Sequence, residues 1–483
     1  MTDFSIVLRS LRARAFSTLT TVLMVGVAVG LLFVLVSMRD AGRQAFSRGT
    51  GNMHLLVTRD SSPLVGVLNA VFYANVPQRA IDWAKFQQIR DGFPLEWAIP
   101  TQQGDSYMGR PVLATTPEFF TRFEPAVGEP WRLKEGRFLR DPGGPTLAGE
   151  PKNDDADAHA FEVVVGSHAA QATGLKLYDR IHLTHGIAQS RQLGAAPAGA
   201  DGHVAHVHTE YTFTVVGILE PTGSVHDRAL FCHLDGGWVL HAHDRINAAH
   251  NCEDHAHGEG DKHAHDHDHE HGHGHEHEHE HGHSHAVGVG DLTDQDRLIT
   301  GVLLRVATRP GQQATAAMQT VFDQLRRDAT IVVAQPVQQI NTLFRIVGSV
   351  DQLFIALGLA VMLSSGVGIL LALYNSMAQR RRQIAVLRAL GASRSRVFNL
   401  VVTESAVIGL LGAGVGLVVG VFGAVVTSAL LKRELGLTIT PSFGVDWMLL
   451  LVAGTVALGV LAGLVPALMA YRTAVANNLR PAA

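Results

Sequence analysis

The chain has 483 residues, of which 47% are hydrophobic and 17% charged, with a formal net charge of −4. The charged share lies below the ~25% of a soluble globular protein, and the deficit is concentrated in a few long uncharged runs. This excludes a soluble enzyme and points to membrane spans, in a chain long enough for two or three domains.

In chain order, residues 1–14 carry Arg9, Arg12 and Arg14. Residues 15–38 follow as a first span, since a bilayer core of ~30 Å takes ~20 apolar residues in helical form. The run is longer than the ~7–15 apolar residues of a signal peptide and no small-residue cleavage pattern follows it, so an uncleaved anchor is expected. Residues 39–350 then form one long segment. Within it Tyr211, Phe213 and Val215 alternate with Thr212 and Thr214, the period of a half-buried strand. Ala314, Met318, Val321, Phe322 and Leu325 make a helical stripe, and a strand-like TIVVAQP follows. A mixed α+β domain is expected there.

Three more spans lie close together at residues 351–379, 399–431 and 447–471, separated by a link at 380–398 and a loop at 432–446, with a tail at 472–483. Arg380, Arg381, Arg382, Arg388, Arg394 and Arg396 stand between the second and third spans, and Arg472 and Arg480 follow the fourth. With four crossings all these arginines fall on the same side as Arg9, Arg12 and Arg14. That side is cytoplasmic and residues 39–350 are extracytoplasmic. Topology thus accounts for the basic residues, and no nucleic-acid partner is implied. The expected architecture is a membrane protein of four transmembrane α-helices plus an α+β extracytoplasmic domain.

Small residues recur at four-residue spacing within the spans: Gly26 and Gly30, then Gly412, Gly416 and Gly420, then Gly459 and Gly463. This spacing lets helix backbones approach closely where lipid offers no hydrophobic drive. It implies a packed bundle, with a second copy or partner as the expected neighbour. Asp351 and Glu404 sit at span edges, and the span interiors hold no His, Cys, Asp or Glu. A path for metal ions through lipid would be expected to carry such groups.

Histidine is the outlier, at 27 residues. His255 and His257 precede an alternation in which His263, His265, His267, His269, His271, His273, His275, His277, His279, His281, His283 and His285 occupy every odd position. The stretch lacks apolar content for a core, so residues 241–286 are expected as a disordered, histidine-rich insertion. Neutral imidazole is a common ligand for zinc and also suits copper and nickel, and interleaved carboxylates such as Asp266 and Glu276 lower the cost of holding cations. Many interchangeable ligands provide capacity, not one defined tetrahedral site. Cys232 and Cys252 leave three options open: a disulfide, a metal ligand in Cys252, or two free thiols.

The link at 380–398 reads as a basic amphipathic helix with Ile384, Val386, Leu387 and Leu390 as apolar members and Gly391 as its stop. It could dock on a protein or lie on lipid headgroups. The chain has no G-x-x-x-x-G-K-[ST] run to cradle phosphates, nor any recognisable catalytic triad.

The stretch MAQRRRQIAVLRALGASRSRVFNLVVTESAVIGLLGAGVGLVVG, the C-terminal GVLAGLVPALMAYRTAVANNLRP and the N-terminal FSIVLRSLRARAFSTLTTVLMVGVAVG resemble the FtsX-like and MacB-type permeases of ABC transporters, including lipoprotein-releasing ones. EGRFLRD, FEVVVGSHAAQATGLKLYDRIHL and YTFTVVGILEPTGSVHDRALF resemble that family's periplasmic core domain more loosely. The resemblance makes residues 1–14 an amphipathic elbow. It makes Arg380, Arg381, Arg382, Ile384, Val386, Leu387, Arg388, Leu390 and Gly391 the coupling element for a separate cytoplasmic ABC ATPase, which would bind the ATP. It further implies a non-catalytic, multi-pass subunit of the bacterial inner membrane, a permease dimer, and a periplasmic lipoprotein or adaptor as partner. The chain would transmit ATP-driven motion to its periplasmic domain, linked through the histidines to zinc or another transition metal. Two alternatives stand beside this: regulation of a periplasmic cell-wall hydrolase, as in FtsX, and metal-ion transport proper.

Overall fold

A computed structural model describes residues 3–140, 158–185, 208–256, 287–307, 316–435 and 444–472. The chain divides into two compact units, one of Met1–Ala45 with Thr342–Ala483 and the other Phe46–Asn341. The extracytoplasmic segment expected at 39–350 thus begins and ends inside helices. α1 (Asp3–Ala13) is followed by α2 (Ala15–Gly49), which continues well past the expected end of the span at residue 38.

The unit Phe46–Asn341 is built on one large sheet. β1 (Leu55–Thr58) precedes α3 (Pro63–Ala70), whose start is set by Ser62: its hydroxyl accepts from the Val65 N–H at 3.3 Å, and Pro63 opens the first turn. β2 (Ile81–Asp82) and α4 (Trp83–Gly92) lead into β3 (Leu95–Tyr107), which turns back at once into β4 (Arg110–Thr115). Met108 and Gly109 form that two-residue turn with φ of 48° and 74°, the doubly left-handed geometry that matches strand twist. The short α5 (Glu118–Thr121) and β5 (Leu133–Gly136) follow.

The sequence FEVVVGSHAAQATG forms β6 (Glu162–Val165) and α6 (Ser167–Thr173), with Gly174 at φ 76° closing the helix. β7 (Arg180–Ile181), β8 (Thr184–His185), β9 (Phe213–Leu219) and β10 (Leu230–His233) come next, then α7 (Leu234–Ala256). β11 (Leu298–Ile299), β12 (Gly301–Val306), α8 (Ala316–Leu325) and β13 (Val332–Ala334) complete the unit. The sheet runs β13-β1-β12-β3-β4-β10-β6-β9-β5, with β7 added to β9 and β8 to β3, while β2 and β11 pair separately. Most neighbours are antiparallel; β10 with β4 and β6 with β9 are parallel.

The alternation expected at Tyr211 to Val215 holds: Tyr211, Phe213 and Val215 are buried and Thr212 and Thr214 half-buried, whereas Val215 to Leu219 are all buried. The strand is interior, between β6 and β5, so both faces are covered. The disordered insertion expected to begin at residue 241 is helical as far as Ala256, since α7 runs through it. Trp238, Val239, Leu240 and Ala242 are buried in the core and anchor that helix, and the Trp238 indole donates to Leu298 O at 2.7 Å. The helical stripe of residues 314–325 is α8, with Val321 and Leu325 buried; Ala314 lies outside the described residues.

A second packing centre gathers Phe119, Phe123, Trp131 and Phe231 around a buried histidine. His226 Nε2 donates to Gly49 O at 3.1 Å, which leaves Nδ1 to accept from the Tyr73 hydroxyl at 2.8 Å. Burial of the ring lowers its pKa to about 4, against the raising effect of Gly49 O and with help from Arg228.

α9 (Pro336–Ala389), α10 (Arg394–Leu435) and α11 (Val445–Arg472) complete the other unit. Among the described residues four helices are long and apolar enough to span a bilayer, within Ala15–Gly49, Gln352–Met377, Arg394–Leu430 and Val445–Arg472. Val22, Val25, Val29, Ile369, Leu373, Ile408 and Ala462 from these four helices form one apolar core, which Val7 and Leu11 of α1 extend.

Candidate functional site

The expected separate coupling helix at 380–398 is not a separate element. α9 continues unbroken from the second span to Ala389, and after a short turn α10 begins at Arg394. The physical reason is that residues 379–389 offer no Gly, Pro or capping residue to stop the helix. The stop comes at Gly391, whose φ of +99° only glycine adopts freely. Its N–H bonds Arg388 O at 3.1 Å, and the Leu390 N–H bonds Val386 O at 3.0 Å. Ser393 then caps α10 by accepting from the Arg396 N–H at 3.2 Å.

One side of this turn is tied down: Ile384 packs with Met377, Val397, Val401, Ala467 and Ala470. The other side is open. Val386 is 43% and Leu390 81% exposed. Arg388 is partly buried, and the side chains of Arg380, Arg381, Arg382 and Leu387 lie outside the described residues.

The spaced glycines join helices of this one chain into the packed bundle that their spacing implied. A Cβ on Gly26 would lie 2.9 Å from Val415 Cγ1, and one on Gly30 3.1 Å from Gly416 O. Gly412, Gly416 and Gly420 face Val25, Val29 and Phe33 in return. Gly459 meets Ser405 O at 2.9 Å and Gly463 meets the Ser405 side chain, so α11 uses a different face of α10. Gly409, absent from the expected set, belongs to that face: a Cβ there would lie 3.1 Å from Thr455 O. The signal for it was the small-residue spacing Ser405, Gly409, Ala413. Glu404, expected at a span edge, is buried within α10 and accepts from the Ser10 hydroxyl of α1 at 2.9 Å.

Of the expected metal ligands, His255 belongs to α7, but its side chain lies outside the described residues. His257, His263, His265, His267, His269, His271, His273, His275, His277, His279, His281, His283 and His285 also lie outside them. Cys252's side chain does too, whereas Cys232 is a free, buried thiol. The structure brings together a different set: Asp105 on β3, His185 on β8 and His241 on α7, with ligand atoms within 4.8 Å of one another. β8 pairs with β3 so that His185 stands directly opposite Asp105.

Asp105 is 7% exposed. Burial would raise its carboxyl pKa, but the facing His241 and His185 outweigh this and hold it well below the usual range. The sequence hint to this site was a polar run, TQQGDS, inside a strand where Gln102, Gln103, Asp105 and Ser106 are all buried. Nothing local tied it to His185 or His241.

Residues 18–249 match the family described as MacB-like periplasmic core domain, and residues 355–475 match FtsX-like permease C-terminal. An uncharacterized ABC transporter permease of Methanocaldococcus jannaschii is 27% identical over 135 residues, which are 27% of this chain and 33% of that protein. An uncharacterized ABC transporter permease protein of Mycobacterium tuberculosis is 47% identical over 60 residues, 12% of this chain and 7% of that one. The chain therefore spans at most a third of the length of these relatives. The two family matches, the four membrane helices and the mixed α/β unit between the first two describe a multi-pass inner-membrane protein. Residues 18–249 thus carry a MacB-like periplasmic core domain and residues 355–475 an FtsX-like permease C-terminal region, the make-up of an ABC transporter permease of FtsX/MacB type.

Proposed function

We propose that the chain is the non-catalytic membrane subunit of an ABC complex that passes ATP-driven motion from a separate cytoplasmic ATPase to its periplasmic core domain. The observation that carries this reading is α9, a single helix from Pro336, next to β13, to the turn at Leu390. An unbroken hydrogen-bonded helix transmits displacement along its axis with little loss. At its cytoplasmic end, Val386 and Leu390 present apolar surface beside arginines, the composition of a docking patch with a basic rim. The family supports an ATPase partner that binds the ATP, and a permease dimer is the simplest assembly in which two ATPases could close on each other. The histidine alternation, read from the sequence, would collect zinc, or copper or nickel, outside the cytoplasm.

The test is co-purification of the full-length chain with a cytoplasmic ABC ATPase expressed beside it. Val386→Asp with Leu390→Asp should abolish capture while the chain stays folded in the membrane. Capture that survives the double substitution would refute the docking assignment. A wild-type chain that captures no ATPase would refute the coupling itself.

A further inference from the structure

We infer that Asp105, His185 and His241 form a binding site for one first-row divalent metal ion, best suited to zinc, within the folded core domain and distinct from the histidine tract. Geometry is the first support. His185 Nδ1 lies 3.4 Å from Asp105 Oδ1, and His241 Nε2 lies 3.4 Å from Asp105 Oδ2. Both separations exceed the ~2.7–3.2 Å of an ordinary N–H···O bond. Each is close to the ligand–ligand edge, about 3.3–3.4 Å, of a tetrahedron built on metal bonds of ~2.0–2.1 Å. The two contacts run to different carboxylate oxygens, but one ligand atom from each residue falls within 4.8 Å of the others, so small side-chain rotations bring all three onto one ion.

The second support is the shape of the backbone. Gly104 precedes Asp105, and a Cβ there would fall 3.0 Å from His241 Cε1 and 3.2 Å from His241 Nε2. The strand thus carries no side chain at a position where one would crowd the His241 imidazole. The third is the buried charge. Asp105 Oδ1 is buried and meets His185 Nδ1 at 3.4 Å, longer than an ordinary hydrogen bond. A carboxylate taken out of water needs a compensating cation, and an ion seated between the two imidazoles supplies it.

Access and donor chemistry narrow the ligand. The His185 and His241 side chains are 49% and 28% exposed, so an ion can enter from solvent while the carboxylate forms the floor. Two imidazole nitrogens and one carboxylate oxygen are a borderline donor set, which favours zinc over magnesium or calcium. Three protein ligands leave a position for water or an exchanging ligand. The site stands independently of ATPase docking, because none of its residues lies near the cytoplasmic turn in the chain.

The experiment uses the full-length chain in detergent with the odd-numbered histidines from His263 to His285 replaced by asparagine. It is titrated with Co2+ as a spectroscopic stand-in, then with Zn2+ against a chromogenic chelator. The expected result is one saturable equivalent of Co2+ with ligand-field absorption of low coordination number, displaced by Zn2+. His185→Gln and His241→Gln should each weaken it by at least the roughly 10–100-fold that loss of even an outer-sphere partner brings, with unchanged thermal unfolding of the metal-free protein. If the asparagine-substituted chain does not fold, the unaltered chain is titrated with a chelator strong enough to keep the tract empty. Absence of a saturable equivalent, or one that persists in both glutamine variants, reduces the cluster to a histidine–aspartate ion pair and overturns the inference.

Discussion

Replacing Gly416 by alanine tests whether α2 and α10 are held at backbone distance. The new Cβ would lie 2.6 Å from Val29 Cβ and 2.8 Å from Gly26 O. Carbon atoms pack best at about 3.5–4.0 Å, so the helices must separate by roughly 1 Å. Backbone atoms cannot rotate away, and overpacking of this kind costs about 1–3 kcal/mol. Alanine also favours the helix over glycine by about 1 kcal/mol, which would blur a single measurement. Gly414, on the same helix, removes that ambiguity, because nothing lies within 4 Å of a Cβ placed there. The propensity gain is common to Gly414→Ala and Gly416→Ala. Their difference is the packing term alone, about 1–3 kcal/mol with Gly416→Ala the less stable. Equilibrium unfolding of the full-length chain in mixed micelles measures it. Equal stabilities would refute the close approach of α2 to α10.

Further predictions concern the core domain. An unfolded histidine takes its proton near pH 6.5, whereas His226 does so only at about 4 in the fold. The unfolded state therefore binds more protons between these values. His226 leaves stability intact above pH 6.5 and erodes it as the pH falls towards 4, by up to about 3 kcal/mol. His226→Gln should flatten that slope in unfolding followed by tryptophan fluorescence; parallel slopes would count against it. Glu162 is buried and binds Arg137 in a fork, Nη1 to Oε2 at 2.7 Å and Nη2 to Oε1 at 2.5 Å, and also contacts His159 at 2.6 Å. Glu162→Gln should destabilise the domain by about 3 kcal/mol, since it leaves the arginine poorly paired; a loss under about 0.5 kcal/mol would mean water replaces the carboxylate. Cys232 is 1% exposed and burial pushes its thiol pKa up. It should resist alkylation in the native protein and react on unfolding, as peptide mass mapping would show, and native labelling at Cys232 would contradict its placement.

The membrane architecture was legible because it depends on local averages. A run of ~20 apolar residues has one solution in a bilayer, and arginine distribution sets its direction. The glycine seam was legible too, through spacing along each helix, but spacing does not say which helix lies opposite. The partner of Gly26 proved to be Val415 of the same chain. Helix boundaries were less legible: α9 runs into the cytoplasmic turn because no local stop precedes Gly391, so the helix read as a separate link is the end of the second span's own helix.

The sequence by itself determined the four spans, the orientation, the presence of an α+β domain and the histidine abundance, because each is written in short windows of composition or period. Only the tertiary structure decided that Asp105, His185 and His241 meet. These residues come from two strands and a helix far apart in the chain, and strand register and the packing of α7 against the sheet bring them together. No window of sequence contains those long-range contacts.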